Sequence, residues 1–90
     1  MHLEQLEARL LALSGKPAEV YDGAHHWKGE LIAGFYPYLN LVECSLCLYS
    51  HPLSVEFTAR QVRHIAGNII TLSPSSNVEV LSTIPRKPIF

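Results

Sequence analysis

The sequence is poor in charge and has no long apolar run. Charged residues make up 17% of the 90 residues and the formal net charge is −1, which argues against a protein that coats phosphate non-specifically. No apolar stretch approaches the roughly 20 residues that a membrane-spanning helix needs. The N-terminal segment lacks a basic leader and carries acidic residues early, unlike a signal peptide. The sequence therefore predicts a cytoplasmic protein that does not contact a membrane.

Motifs for catalysis and metal binding are also missing. There is no Gly-rich phosphate loop, no HExxH spacing and no paired-carboxylate arrangement. Cys44 and Cys47 lie three residues apart in a predicted strand, so their Cα atoms are about 10 Å apart, too far for a disulfide. No second cysteine pair exists to complete a zinc site. His25 and His26 are adjacent and face opposite ways. We therefore predict free thiols, surface histidines, no metal, no cofactor and no enzymatic activity.

The residues that are present predict one folded domain with a helix at its start. An apolar share of 48% suits a globular chain of 90 residues. Leucines at helical spacing predict a helix over residues 3–14 that ends at Gly15 and Pro17. We expect its apolar stripe to pack on the domain, with a partner-docking helix as the alternative. The stripe consists of Leu3, Leu6, Leu10 and Leu13.

Alternating apolar and polar residues predict about five short antiparallel strands after the helix. Asp22-Gly23 is a strong hairpin signal, Pro37 interrupts the long central alternation, and a bend is expected past Val62. The predicted strands cover about residues 18–21, 25–36, 39–49, 54–64 and 69–72. This order fits a strongly bent small barrel. Strand periodicity alone does not distinguish SH3-like, OB-like and Sm-like barrels.

Two segments resemble the two sequence motifs of the Sm-like family (Sm/LSm), which includes bacterial Hfq. The first motif is matched by Gly15-Lys16, Asp22-Gly23, Gly29-Glu30-Leu31, Gly34-Phe35 and Asn40-Leu41-Val42. The second is matched within VRHIAGNIITLSP by Ile65, Gly67, Ile70, Leu72, Ser73 and Pro74. The resemblance predicts an Sm-like domain over residues 1–76, with its barrel over 18–73. Residues 77–90 form a C-terminal extension, either an added strand or a tail.

The resemblance implies a five-stranded antiparallel barrel capped by the helix, whose subunits close a homo-oligomeric ring of five to seven copies. It also implies binding of single-stranded, often U-rich RNA at the pore. Tyr38 takes the position on which a base stacks, and Asn40 takes the hydrogen-bonding position. Gly67 keeps the tight turn of the second motif, and Ala66 and Asn68 flank it. These five residues form the predicted RNA-binding set.

Two departures from the family pattern keep other functions open. Ala66 stands where the family has an arginine, and Tyr36 stands where it has an aspartate. The first alternative is a ring-shaped assembly or protein-interaction scaffold that has lost RNA binding. The second is a monomeric SH3-like or OB-like adaptor with an unrelated ligand.

Overall fold

The computed structural model of the protein describes residues 2–50, 52–73 and 79–82, which form one α-helix and seven β-strands. The helix α1 spans Leu3–Leu13, and the strands are β1 (Pro17–Tyr21), β2 (His26–Tyr36), β3 (Leu41–Leu48), β4 (Leu53–Thr58), β5 (Val62–Ala66), β6 (Ile69–Leu72) and β7 (Glu79–Ser82). A 3₁₀ turn, Ala59–Gln61, joins β4 to β5. The prediction of a mainly β domain with an N-terminal helix is confirmed. Within the described ranges, no helix is long and apolar enough to cross a membrane.

Helix α1 covers one face of the sheet. It begins after His2, whose backbone N–H donates to Oε1 of Gln5 at 3.1 Å and so satisfies one helix-end donor. Leu6 and Leu10 are buried, as the predicted stripe requires, whereas Leu3 at the helix start is 40% exposed. The helix therefore packs through its middle turns, and the expected packing of the stripe is confirmed there.

All seven strands belong to one sheet, in the order β5-β6-β1-β2-β3-β4-β7. Every neighbouring pair is antiparallel except β1 and β6, which are parallel. One face of the sheet and the helix enclose the core. The buried apolar residues are Leu6, Leu10, Ala18, Val20, Leu31, Val42, Cys44, Leu46, Val55, Phe57, Ala59, Val62, Ile65, Ile70 and Leu72.

The five-stranded closed barrel that the resemblance implies is wrong for this chain. Six strands lie within residues 17–72 and a seventh follows at 79–82, and the end strands β5 and β7 do not pair with each other. The prediction counted residues 54–64 as one strand, but the 3₁₀ turn divides it. Oε1 of Gln61 accepts the backbone N–H of Thr58 at 2.8 Å, which closes this turn. The two halves therefore pair with different neighbours, β4 with β3 and β7, and β5 with β6.

The predicted extension after residue 76 contributes to the sheet. Strand β7 pairs with β4 from Leu53↔Ser82 to Glu56↔Glu79, so Glu79–Ser82 is an added strand of the sheet. The remaining part of that prediction, residues 77–78 and 83–90, lies outside the described residues.

Candidate functional site: the tip of the β2–β3 hairpin

The β2–β3 hairpin extends beyond the strands on either side of it. Strand β1 pairs with β2 only as far as Glu30. Beyond that point, backbone and hydroxyl groups of Ser14–Lys16 hydrogen-bond to the backbone of β2 as far as Ala33. On the other side, β4 pairs with β3 only as far as Glu43. Residues 34–41 therefore project past both neighbours, and we call them the hairpin tip.

A tight turn shapes the end of the hairpin tip. The carbonyl of Tyr36 accepts the N–H of Leu39 at 3.1 Å, and that of Pro37 accepts the N–H of Asn40 at 3.0 Å. Proline suits the second position of such a turn because its φ is already fixed. Asn40 has φ +51°, a left-handed conformation that asparagine tolerates better than most residues. The sequence thus specifies a turn that holds the side chain of Tyr38 outward.

The hairpin tip is apolar, aromatic and uncharged. Tyr38 is 85% exposed, and Phe35, Tyr36 and Leu39 are between 42% and 47% exposed. No charged residue occurs between residues 31 and 42, and Glu30 and Glu43 flank that segment. Exposed apolar side chains are ordinary when they are scattered, whereas several of them close in sequence at one projecting end make the hairpin tip a candidate interaction site.

The second predicted group lies at the β5–β6 turn. Gly67 has φ +63° and allows the tight turn there. Asn68 has a structural role. Its side-chain amide donates to the backbone carbonyl of Pro17 at 3.3 Å, and its backbone carbonyl accepts the N–H of Glu19 at 2.9 Å. These bonds fasten the turn to β1 and set β6 parallel to β1. Ala66 is exposed and lies opposite Ile69 in the β5–β6 ladder.

The two predicted groups lie on different turns of the chain. Asn68 contacts Pro17, which lies opposite Glu30 in the β1–β2 ladder. Tyr36 is six residues further along β2, a path of roughly 20 Å measured along the strand at the usual rise per residue. No hydrogen bond or ring contact within the described part of the chain joins the two groups. Of the five predicted residues, Tyr38 and Asn40 therefore share the hairpin tip, and Ala66, Gly67 and Asn68 belong to a separate turn.

A second polar group, which the sequence did not predict as a unit, surrounds the β1–β2 turn. His26 stacks on Tyr21 with ring centroids 3.9 Å apart, and its Nε2 lies 2.8 Å from Oε1 of Glu19. His25 stacks on Trp27 at 5.1 Å. Both histidines are exposed, as predicted. Among the described residues, no three side chains of the metal-ligating types are grouped to hold a metal ion. The sequence feature that could have predicted the stacking of His26 on Tyr21 is their spacing of five residues across the Asp22-Gly23 turn, which sets them opposite each other in the β1–β2 ladder.

Asp22 organises that turn. Its Oδ1 accepts the backbone N–H groups of Ala24 at 2.9 Å and His25 at 2.6 Å, and its Oδ2 lies 3.2 Å from Nδ1 of His25. Burial of the carboxyl group opposes ionisation, but these donors outweigh it. Together they hold the pKa of Asp22 below its ordinary value of 3.8.

Asp22→Ala is expected to destabilise the protein by about 1–2 kcal/mol near neutral pH, because two backbone donors lose a charged acceptor. The folded-state pKa is lower than the unfolded-state pKa, so the carboxylate contributes fully above about pH 4. That contribution is lost as the pH falls through the folded-state pKa. Urea unfolding near pH 7 and near pH 2 should show the difference between wild type and variant shrinking in acid. Asp22→Asn, which keeps an acceptor oxygen, is the control, and a pH-independent difference would contradict the ionic role.

The two cysteines are free, as predicted, and Cys44 is buried. Burial raises the pKa of the Cys44 thiol to about 12, with Glu56 and Glu43 adding to the effect. A thiol with so high a pKa stays protonated and is a poor nucleophile. The carboxylate of Glu56 instead accepts the hydroxyl groups of Ser45 at 2.5 Å and Ser54 at 3.1 Å. This group of hydrogen bonds ties β3 to β4.

Comparison of this chain with protein-family models, with curated proteins and with solved structures finds no match. Membership of the Sm-like family therefore stays a prediction. The local geometry of the hairpin tip is the evidence that bears on function.

Proposed function

We propose that this protein is a protein-interaction module that inserts its hairpin tip into an apolar pocket of a partner protein. Glu30 and Glu43 at the base of the hairpin complement cationic side chains at the rim of that pocket. One observation carries the proposal: four large apolar side chains are exposed together at a projecting end with no charge among them. This is the scaffold alternative of the sequence analysis, without the requirement for a ring.

The magnitudes favour a protein partner over a polyanion. A tyrosine ring of about 200 Å² contributes up to about 5 kcal/mol when buried at ~25 cal/mol per Å², before the entropic cost of association. Nucleic-acid affinity depends instead on cations that neutralise phosphates. Residues 31–42 contain no cation, and both flanking charges are negative. The hairpin tip thus presents the chemistry of a protein interface core, which is aromatic and depleted of charge.

Site-specific photo-crosslinking in the cells that produce the protein tests this proposal. A benzophenone amino acid replaces Tyr38 in one variant and Tyr49 in another. Tyr49 is the matched control, because it is 64% exposed and lies just beyond the other end of β3. We expect a discrete, protease-sensitive adduct at position 38 that is absent at position 49. Equal adducts at both positions, or none at 38, would overturn the proposal.

The same crosslinking experiment also tests whether Glu30 faces cationic side chains of the partner, through the adduct yield at position 38. Glu30 is exposed, and its side chain lies on the outer face of β2 just before the uncharged segment. Glu30→Lys should reduce the adduct yield at position 38 several-fold, because a like charge then faces the cationic rim. The same change at Glu4, which is exposed on α1, should leave the yield unchanged.

Single-stranded RNA binding is the second candidate, and the exposure of Tyr38 beside Asn40 favours it. A base stacked on an aromatic side chain contributes about 1–3 kcal/mol whatever its identity. Asn40 offers both donors and an acceptor to a base edge. Fluorescence anisotropy with short U-rich and A-rich oligonucleotides at low salt tests this candidate. Binding tighter than ~100 μM that disappears in Asn40→Ala would support it, and an RNase-sensitive crosslink at position 38 would favour it over a protein partner.

A further inference from the structure

The sheet has two open edges among the described strands. Strands β5 and β7 stand at the ends of the strand order and do not pair with each other. An edge strand carries a row of backbone N–H and C=O groups that can pair with another strand. Folded proteins either block such edges against pairing or pair them with another strand. The two edges of this sheet differ in this respect.

The β5 edge carries two features that block pairing. The β5–β6 register shifts between Val62 and His64, which leaves Arg63 as an extra residue in β5. A bulge of this kind bends the strand and interrupts its regular spacing of backbone groups. Arg63 and His64 are both exposed, and charged side chains on an edge also discourage pairing. The β5 edge is therefore unsuited to receive a strand.

The β7 edge lacks the irregularity of the β5 edge. Glu79–Ser82 pairs with β4 in four consecutive positions and without a register shift. Its opposite edge faces no other described strand. A straight strand of this kind presents its outward backbone groups at the regular spacing that a further strand needs.

We infer that β7 pairs with β7 of a second copy of this chain, antiparallel about a two-fold axis, and joins two sheets into one. A two-fold axis sets a strand antiparallel to itself, so one edge serves both copies. Centring the pair on Val80 places Glu79 opposite Leu81, and centring it on Leu81 places Val80 opposite Ser82. Neither register sets glutamate against glutamate, so like charges are not opposed.

This assembly differs from the ring that the sequence resemblance implies. A ring needs two complementary edges on each copy, joined head to tail. Because the β5 edge is blocked, each copy has one usable edge among the described strands. When two copies pair through that edge, neither has an edge left for a third copy, so the assembly is a dimer. The ring of five to seven copies stays a prediction, and the two assemblies differ in mass. The inference does not depend on what binds the hairpin tip.

Native mass spectrometry and residue-resolved amide hydrogen exchange test the inference on the full chain. We expect a species of about 20 kDa, twice the 10.1 kDa monomer, that grows with concentration. Within Glu79–Ser82, the amides that point away from β4 should exchange slowly at high concentration and rapidly on dilution. Amides on the outer edge of β5 should exchange rapidly at both concentrations and provide the internal control.

Three results would overturn the inference. The first is a monomer at every concentration. The second is a dimer in which concentration-dependent protection falls outside β7, for example on the hairpin tip. The third is an assembly of five to seven copies, which would favour the ring.

Discussion

Gly29→Ala should destabilise this protein by about 3 kcal/mol or more, whereas Gly34→Ala in the same strand should have little effect. A Cβ built on Gly29 would lie 2.1 Å from the carbonyl oxygen of Cys47 and 2.7 Å from its carbonyl carbon, both in the paired strand β3. These are backbone atoms, so the clash is relieved only by separating β2 from β3. Overpacking a core typically costs about 1–3 kcal/mol even when neighbouring side chains can shift to make room. At Gly29 the clash is with backbone atoms, so a side-chain shift does not remove it.

Gly34 is a close control because it lies five residues further along β2. The nearest atom to a Cβ at that position is Cε1 of Tyr36, at an ordinary contact distance of 3.9 Å. Chemical denaturation and thermal melting of both variants give the comparison. For a domain of this size, about 3 kcal/mol corresponds to a fall in melting temperature of roughly 12–24 °C. Equal stability of the two variants would contradict the close approach of β2 and β3.

Leu31→Ala should cost about 2–5 kcal/mol, the usual range for truncating a fully buried leucine. Leu31 is completely buried and lies opposite Leu46, also completely buried, in the β2–β3 ladder. Its backbone also anchors the segment after α1, because its N–H donates to the carbonyl of Lys16 and its carbonyl accepts the N–H of Gly15. The truncation therefore leaves a cavity where the helix connection, β2 and β3 meet.

Ile32→Ala is the control for Leu31→Ala, since adjacent residues of a strand point to opposite faces. Ile32 is 48% exposed, and its truncation should cost less than about 1 kcal/mol. Urea unfolding of the two variants measures the difference in the free energy of unfolding. A similar loss in both would mean that the register of β2 is shifted by one residue from the one described here.

The alternation along β2 allowed much of the central hairpin to be predicted. Leu31 is buried on the face that the period of two assigns to it, and the predicted break at Pro37 coincides with the turn. Asp22-Gly23 likewise predicted the β1–β2 turn. Each of these features depends on residues close in sequence, where turn chemistry and strand period agree.

The features that sequence did not predict depend on contacts between distant residues. Residues 59–61 alternate as a strand would, but the backbone N–H of Thr58 donates to Oε1 of Gln61 and that of Val62 donates to the carbonyl of Ala59, which makes the segment a 3₁₀ turn. The parallel pairing of β6 with β1 follows from the attachment of Asn68 to Pro17, 51 residues away in sequence. No local pattern in the sequence encodes that register. The sequence therefore predicted neither the number of strands nor the open sheet correctly.

The candidate site was predicted in part for the same reason. Tyr38 and Asn40 belong to one short turn, and local chemistry was enough to place them together. Their expected neighbours in the second motif were assigned from a family arrangement that requires a closed barrel. The five residues lie on two different turns, and no hydrogen bond or ring contact within the described part of the chain joins them. The uncharged character of residues 31–42 was visible in the sequence, and the proposed docking role of the hairpin tip depends on it.

The accessibility of the four tyrosines in solution tests the central claim, that the hairpin tip is a free docking surface. Photochemically induced nuclear polarisation measures how readily each tyrosine ring meets a dye in solvent. The structure predicts the strongest response from Tyr38, at 85% exposure, then Tyr49 at 64%, with Tyr36 and Tyr21 weakest at 42% and 37%. A Tyr38 response no stronger than that of Tyr21 would show the hairpin tip to be covered in the free protein and would contradict the claim.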